Sequence, residues 1–420
     1  MIKAITGTKD ILPWQISEWK RLEKTVENLM SYFNYKEIRT PTFEETVLFS
    51  RGIGEATDIV SKEMYTFIDR SETSITLKPE MTASVVRAYI EHKLSKKQNL
   101  HKLYYISSMY RQERPQAGRL REFHQFGAEA IGSNAPMLDA EMIELAYSIL
   151  KSFGLKNLDI KINSLGVPAE REQYKTELRN YLKDKFELLS EDSKKRFETN
   201  ILRIFDSKDE KDIEIMSEAP KILDFLSEES LKHFEEVKSY LDEIEIKYSV
   251  DYKLVRGLDY YTNTTFEIVS SSVGAQSALC GGGRYNLLIE QLGGPPTPAT
   301  GFAAGMERIL LACVNEGCNK EEEASLDIYL VRMEPAKKTA VFKISNTLRK
   351  NGLKTEMDYL SRSVKAQMRE ANRMNARFVL FVGGEEFEKG SVVLKDMETG
   401  EQQELPAKDL TPVISKLKNQ

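Results

Sequence analysis

The sequence predicts a mixed α/β (α+β) protein, a large body followed by a smaller α/β domain, and three observations carry that prediction. Between residues 74 and 130 the apolar pattern runs from strand to helix and then to a strand pair. A Lys/Glu-rich, glycine-poor stretch from 167 to about 250 interrupts the body with the composition of exposed helices. From residue 327 onward, strands and helices alternate in βαβαβ order. At 420 residues the chain is long for one core. The predicted boundaries are a body at 1–320, a helical insertion within it at 168–248, and a separate domain at 325–420.

Taken in order, Leu22, Val26, Leu29, Met30 and Phe33 recur at helical spacing and predict an amphipathic helix over 17–33. Residues 35–42 read as a short strand closed by Pro41. Strands are predicted at 74–77, 102–110 and 121–130, with a helix at 81–92. The link 112–120 holds Pro115 and Gly118, lacks apolar periodicity, and reads as a polar hairpin loop. Residues 261–268 alternate β-branched and aromatic side chains, as a strand does. The run 301–311 reads as a turn opening a buried helix, and Gly281-Gly282-Gly283 as a place where the chain turns close to a ligand. After the acidic linker Lys320-Glu321-Glu322-Glu323 come strands at 327–331, 354–356 and 378–382. Helices at 336–350 and 364–374 separate them.

Composition narrows the class. Hydrophobic content of 41% and charged content of 30% fit a soluble globular protein. No run approaches the roughly 20 apolar residues that span a bilayer, and residues 1–10 lack the apolar core of a signal peptide. Cys280, Cys313 and Cys318 are too few and too oddly spaced for a disulfide framework or a zinc cluster, which points to a reducing cytoplasm. The net charge of −5 argues against a generic nucleic-acid binder. Yet residues 325–420 carry 17 Lys+Arg against 13 Asp+Glu, so this end is +4 and the rest −9. That split fits a phosphate-backbone contact confined to one end; a chance fluctuation among solvated charges is the alternative.

Five segments carry residue types suited to chemistry. In 254–268, Arg256, Asp259, Tyr260 and Tyr261 crowd the entrance to a strand. A guanidinium beside two phenols suits an anionic ligand with a flat polar part, whereas a surface turn is the plain alternative. In 110–129, Arg111, Arg114, Arg119 and Arg121 lie within eleven residues, and Phe123, Gln125, Gly127 and Glu129 share one face of the returning strand. A solvated arginine loop would not explain an amide and a carboxylate on that face. Arg308 interrupts an apolar, glycine-rich run, where a charge either meets a ligand or pairs near Glu307. Glu80 and Thr82 stand at a strand-to-helix junction, as a helix cap or as ligand contacts. The Gly281–Gly283 run lacks the GxxxxGK[ST] pattern of a P-loop.

Together these segments resemble a known family. The paired strands with their arginine loop, and Gly305-Met306-Glu307-Arg308, are similar to motifs 2 and 3 of class II aminoacyl-tRNA synthetases. Residues 254–261 (Leu-Val-Arg-Gly-Leu-Asp-Tyr-Tyr) and 281–285 (Gly-Gly-Gly-Arg-Tyr) resemble signatures of the histidyl-tRNA synthetases. The resemblance spans nearly the whole chain, with five separated motifs in order. It implies an antiparallel-sheet catalytic domain with a helical insertion, followed by an α/β anticodon-binding domain. The implied reaction is ATP-dependent ligation of L-histidine to tRNA(His) through histidyl-adenylate, releasing AMP and diphosphate.

The resemblance also distributes roles. Arg111 and Arg256 would grip the α-phosphate, and Arg308 the γ-phosphate end of a bent ATP, with Arg119 near the same tail. Glu113 would hold the adenine side or the loop. Glu80, Thr82 and Gln125 would meet the α-amino and carboxylate groups of histidine. Glu129 and Tyr261, with Tyr260 nearby, would bond the imidazole. Mg²⁺ would arrive with ATP rather than in a dedicated cluster, and tRNA would bind through its acceptor end and anticodon. A cytoplasmic homodimer, away from membranes, is implied as well. The chain departs from the family pattern at Lys78 and Met81 (Arg and Gly are usual), Gln112 (His) and Asn286 (Asp). The alternative is a catalytically silent, synthetase-like regulatory subunit of histidine biosynthesis. Such proteins typically lose catalytic residues and the C-terminal domain, both of which this sequence keeps.

Overall fold

Period-two alternation of small and large side chains organises the first of two units, Met1–Asn319 and Lys320–Gln420. A computed structural model describes residues 2–53, 57, 59–115, 118–255, 258, 260–320 and 326–418. Arg256, Gly257 and Asp259, Gln116 and Ala117 of the arginine loop, and residues 321–323 of the acidic linker lie outside the described residues.

In chain order the strands of the first unit are β1 (Lys36–Glu37), β2 (Phe43–Glu45), β3 (Thr66–Ile68), β4 (Ser74–Leu77), β5 (His101–Tyr110) and β6 (Glu122–Ile131). There follow β7 (Asp159–Ser164), β8 (Ser249–Val250), β9 (Thr262–Val269), β10 (Ala278–Arg284) and β11 (Ala299–Gly305). Among the described residues eight of them form one sheet, ordered β1-β5-β6-β11-β10-β9-β7-β8. Its pairs are antiparallel except β1 with β5 and β7 with β8. Strands β2, β4 and β3 make a separate small sheet.

The register sorts the two faces of the large sheet. One row aligns Ala128 with Phe302, Gly282 and Phe266 across four strands. This face is buried against the helices Ile16–Tyr32, Pro136–Phe153 and Met306–Glu316 in one apolar core. Leu22, Val26 and Met30 of the first helix are fully buried, whereas Leu29 and Phe33, expected on the same stripe, are only partly covered. Each fully buried side chain of this size stabilises by about 1.5–3 kcal/mol. The next row aligns Glu129 with Gly301 and Gly283, and its neighbour aligns Gly127 with Ala303, Gly281 and Glu267. This second face is nearly bare of side-chain bulk.

Two expectations change here. Residues 301–305 are not a turn but the end of a central strand, with the helix starting at Met306. Gly281–Gly283 likewise lie inside β10. Small residues on alternate positions hide the strand period, because hydrophobicity distinguishes them poorly from a turn. A Cβ on Gly282 would stand 2.3 Å from the Gly301 carbonyl oxygen.

The insertion holds the helices Pro168–Lys183, Glu191–Thr199, Glu210–Ser217 and Glu228–Glu243. Its interior is organised by a buried carboxylate: Ser190, Ser193 and Ser207 each donate a hydroxyl to Asp212 at 2.6 Å. Burial works against that charge, but these bonds outweigh it and hold the carboxyl at about 2. The insertion is tied to the body by a second buried cluster. Arg284, fully buried at the end of β10, reaches Asp139 through Nε at 3.0 Å and Nη2 at 2.8 Å. His233 of the last insertion helix places Nε2 2.8 Å from the same carboxylate.

In the second unit β12 (Leu326–Arg332) runs parallel to β13 (Thr355–Met357) and β14 (Ala376–Val382). Helices Lys338–Lys350 and Val364–Arg373 connect them. The sequence predicts no strand beyond these; the structure adds an antiparallel hairpin, β15 (Ser391–Asp396) and β16 (Gln402–Pro406). Its signal was present in Asp396, whose carboxylate accepts the amides of Glu398 and Thr399 in a tight turn.

Candidate active site

The bare face of the sheet floors two adjoining cavities that share Arg111, Gln125, Gly281 and Ala303. The larger, about 220 Å³, is lined by Arg111, Arg119, Arg308, Glu113, Glu267 and Glu307. The smaller, about 80 Å³, is lined by Glu80, Thr82, Tyr105, Tyr260, Tyr261 and Tyr285, closed in part by Met81 and Leu258. One is arginine-rich; the other combines carboxylates with phenols.

In the larger cavity the cations are set before any ligand arrives. Arg111 follows β5 directly, its amide bonded to the Arg121 carbonyl across the hairpin. Its Nε donates to the Pro79 carbonyl at 2.9 Å, and its guanidinium lies 5.2 Å from the Phe123 ring centre. Arg308 opens the helix after β11 and donates Nε to Gly118 O and Nη1 to Ala278 O, each at 2.9 Å. Burial, with Arg119 close by, pulls its pKa below the ordinary guanidinium value. Glu113 stands between cations, 3.6 Å from Arg111 and 3.4 Å from Arg119. Glu307 does not pair with Arg308. Both its oxygens accept the His124 amide, and His124 Nδ1 lies 2.9 Å from Oε1. Burial opposes the His124 imidazolium, but Glu307 outweighs it and raises the pKa.

The smaller cavity buries two carboxylates. Glu80 caps the Thr82–Glu91 helix, accepting the amides of Thr82 and Ala83 at 2.8 Å each. Burial raises its pKa; those two amides and Arg111 oppose the rise. Glu129 accepts the Thr82 hydroxyl at 2.8 Å and the Tyr285 hydroxyl at 2.5 Å. Burial pushes its carboxyl up to about 8, against the Tyr285 and Thr82 bonds. Tyr260 and Tyr261 lie with ring centres 4.8 Å apart, and Tyr285 meets Tyr260 edge-on at 5.7 Å. Gly301 makes room for Glu129, since a Cβ there would stand 1.8 Å from Oε2. Gly301→Ala is therefore expected to cost about 1–3 kcal/mol by overpacking and to displace Glu129. Denaturation midpoints check the first effect, and amino-acid binding by calorimetry checks the second. An alanine variant with unaltered midpoint and affinity would refute it.

The Glu129 carboxyl has a second consequence. Its folded pKa of about 8 lies above an unfolded value of about 4.3. As pH climbs through that window, the unfolded chain releases a proton that the folded, ligand-free pocket retains. This contribution to stability is present in full below about pH 4 and lost by about pH 8. Thr82, Tyr105, Tyr285 and Glu80 surround the group. Glu129→Gln removes the titration, so the midpoint of the variant relative to wild type is expected to rise between pH 5 and 8. A constant difference across that range would contradict the assignment.

Of the residues singled out in the sequence, Arg111, Glu113, Arg119, Gln125 and Arg308 meet in the larger cavity. Glu80, Thr82, Tyr260 and Tyr261 line the smaller, which Gln125 and Arg111 also reach. Glu129 sits at its wall, bonded to Thr82 and Tyr285. Arg256 lies outside the described residues. Tyr105 and Glu267 carry no expectation from sequence; Tyr285 enters it only as the end of the Gly281–Tyr285 signature, with no role of its own, and Glu307 only as the place where Arg308 could pair. Asn286, a departure from the family pattern, accepts from Arg284 at 3.3 Å and donates to Asn134 at 3.0 Å. Met81 is buried, its sulfur accepting from the Thr40 hydroxyl at 3.4 Å.

An antiparallel sheet that offers arginines to one cavity and carboxylates to the next is the catalytic architecture of class II aminoacyl-tRNA synthetases. The family model described as histidyl-tRNA synthetase matches residues 7–309, and that of the anticodon binding domain matches residues 325–417. The chain therefore belongs to the histidyl-tRNA synthetase family. It is 49% identical to a curated histidine–tRNA ligase of Halothermothrix orenii, over 99% of each chain. It is 48% identical to that of Caldanaerobacter subterraneus subsp. tengcongensis, again over 99% of each. Apo histidyl-tRNA synthetase of S. aureus has a similar structure, with a TM-score of 0.83 at 41% identity and full coverage of both chains.

Proposed function

We propose that this chain ligates L-histidine to tRNA(His) in two steps within the paired cavities. The observation that carries the reading is their junction: Arg111 and Gln125 border both, so one ligand's carboxylate can meet another's phosphate there. In the first step a histidine carboxylate oxygen attacks the α-phosphorus of ATP and diphosphate leaves from the opposite side. That carboxylate is already ionised at neutral pH, so the step asks for positioning and charge neutralisation rather than a general base. Arg111 suits the α-phosphate, with Arg256 as the second expected contact; Arg308 and Arg119 suit the triphosphate tail. Mg²⁺ would come with the phosphates, and Glu113, Glu267 and Glu307 are carboxylates on that cavity's wall.

The smaller cavity suits histidine. Glu80 and Thr82 stand ready for its ammonium, Gln125 for its carboxylate, and Glu129 with Tyr261 and Tyr260 for the imidazole. A ring lacking the two nitrogens would leave buried polar groups unpaired, which rejects isosteres without editing. In the second step the terminal adenosine of tRNA attacks the adenylate carbonyl and AMP departs. The second unit, matched by the anticodon-binding model, would hold the far end of the tRNA. We infer a cytoplasmic homodimer: three free thiols fit a reducing compartment. Phe43, Phe67, Ile68 and Tyr32 are large apolar side chains left exposed on the small sheet and first helix. Among the described residues no helix is long and apolar enough to cross a membrane. The regulatory-subunit alternative is less supported, because the curated ligases match the chain from end to end.

ATP–diphosphate exchange with each of the 20 amino acids tests the reading. Exchange with histidine alone is expected. Exchange with another amino acid would overturn the histidine assignment, and exchange with none would overturn the enzyme.

A further inference from the structure

A third cavity, about 390 Å³, lies between the insertion and the sheet, on the far side of Tyr260 and Leu258 from the histidine pocket. Arg171, Lys175 and Arg179 project into it from one helix, Pro168–Lys183, at intervals of four residues that place them on one face. Arg203 faces them from the segment Ile201–Asp206. The lining supplies one carboxylate, Glu172, which pairs with Lys175 at 2.7 Å, and Asp206, at the end of the segment that carries Arg203, pairs with that arginine at 2.9 Å. The floor is apolar, built from Leu165, Leu202 and Leu287. Cations outnumber carboxylates along this lining, on a unit that is otherwise acidic.

We propose that this cleft is a second binding site, for a small phosphorylated molecule with a flat apolar part, and that its occupancy is felt by the histidine pocket. The coupling half of the proposal rests on the histidine reading above; the binding half does not. Charge complementarity selects the phosphate, since clustered guanidinium and ammonium groups over an apolar floor hold an anion by paired, charge-assisted bonds. The cleft is half open, but its apolar floor of Leu165, Leu202 and Leu287 offers a surface for a ring that a nucleic-acid backbone alone would leave unused. Two contacts carry the coupling. Tyr260 and Leu258 are walls common to both cavities. Arg171 also donates Nη2 to the Tyr261 carbonyl at 2.8 Å, so a phosphate that draws this guanidinium into the cleft competes with the bond positioning Tyr261.

The experiment uses the full chain, with AMP and inorganic phosphate as probes. A phosphate-free ATP analogue, adenosine 5′-sulfamate, first saturates the larger cavity, and equilibrium dialysis then counts the labelled AMP that still binds. One AMP per chain is expected, displaced by inorganic phosphate. The double variant Lys175→Glu, Arg179→Glu is expected to weaken AMP at least tenfold while leaving affinity for the ATP analogue unchanged. Saturating AMP should shift the histidine dissociation constant at least threefold in wild type, and not in Arg171→Met. No AMP bound beyond the analogue, or equal binding by the charge-reversed variant, would overturn the site. So would a short RNA duplex that binds with the same charge dependence while AMP and phosphate do not. AMP binding that leaves the histidine dissociation constant unchanged would overturn the coupling. The dialysis contains no histidine, so a chain that fails to bind histidine at all would count against the proposed function and leave the cleft affinity as measured.

Discussion

Arg111→Ala is expected to lower the rate of ATP–diphosphate exchange by roughly 100- to 1,000-fold, with a much smaller change in the KM for histidine. The magnitude follows from removing one preorganised donor aimed at charge that develops in the transition state. The structure supplies the preorganisation: Nε is spent on the Pro79 carbonyl and the ring of Phe123 lies beneath the guanidinium. The remaining nitrogens are thereby aimed without paying side-chain entropy when ATP binds. Arg111→Lys keeps the charge but loses the planar fork, so an intermediate loss is expected. Steady-state exchange kinetics decide the matter. A variant whose only defect is a raised KM for histidine, with kcat intact, would remove Arg111 from the phosphate and leave it as a substrate-binding group.

The second large effect concerns stability. Asp139→Ala is expected to destabilise the first unit by about 3–5 kcal/mol, the range for breaking a buried ion pair from one side. Asp139 and Arg284 are 1% and 0% exposed, so water cannot replace the lost carboxylate. His233 loses the same partner. Urea unfolding followed by tryptophan fluorescence reads this unit, because Trp14 and Trp19 both lie within it. His233→Ala is expected to cost less, since Arg284 keeps its carboxylate. A midpoint for Asp139→Ala within experimental error of wild type would show that the cluster contributes specificity rather than stability.

How much of this was legible in the chain depended on distance along it. The arginines of the larger cavity stood out because Arg111 and Arg119 belong to a run of four within eleven residues and Arg308 interrupts an apolar helix. Glu80 and Thr82 were marked by a strand-to-helix junction. Tyr285 stands in a signature but its role is not legible there, because its meaning comes from Glu129, 156 residues away, and the Asp139–His233 contact joins residues 94 apart. Neither partner carries a local signal: a tyrosine after glycines and an aspartate in a helix are ordinary. Gly301 was misread for a different reason. Its role is to be absent where the Glu129 carboxylate lies, and that is a property of register between β6 and β11.

The 254–268 segment shows the same division. Residue types near the strand already called for an anion and a flat polar ring, and the order of motifs along the chain already named the reaction. Periodicity also settled which stretches are helix and which are strand wherever large side chains repeat. Where the groups meet was a matter for the folded chain. Antiparallel register across β6, β11, β10 and β9 put Gly127, Ala303 and Gly281 in one row and Phe302 and Phe266, beside Ala128 and Gly282, in the next, clearing one face and filling the other. Period two is written locally, but the relative shift of two strands depends on contacts between residues far apart in sequence, and no local pattern encodes it.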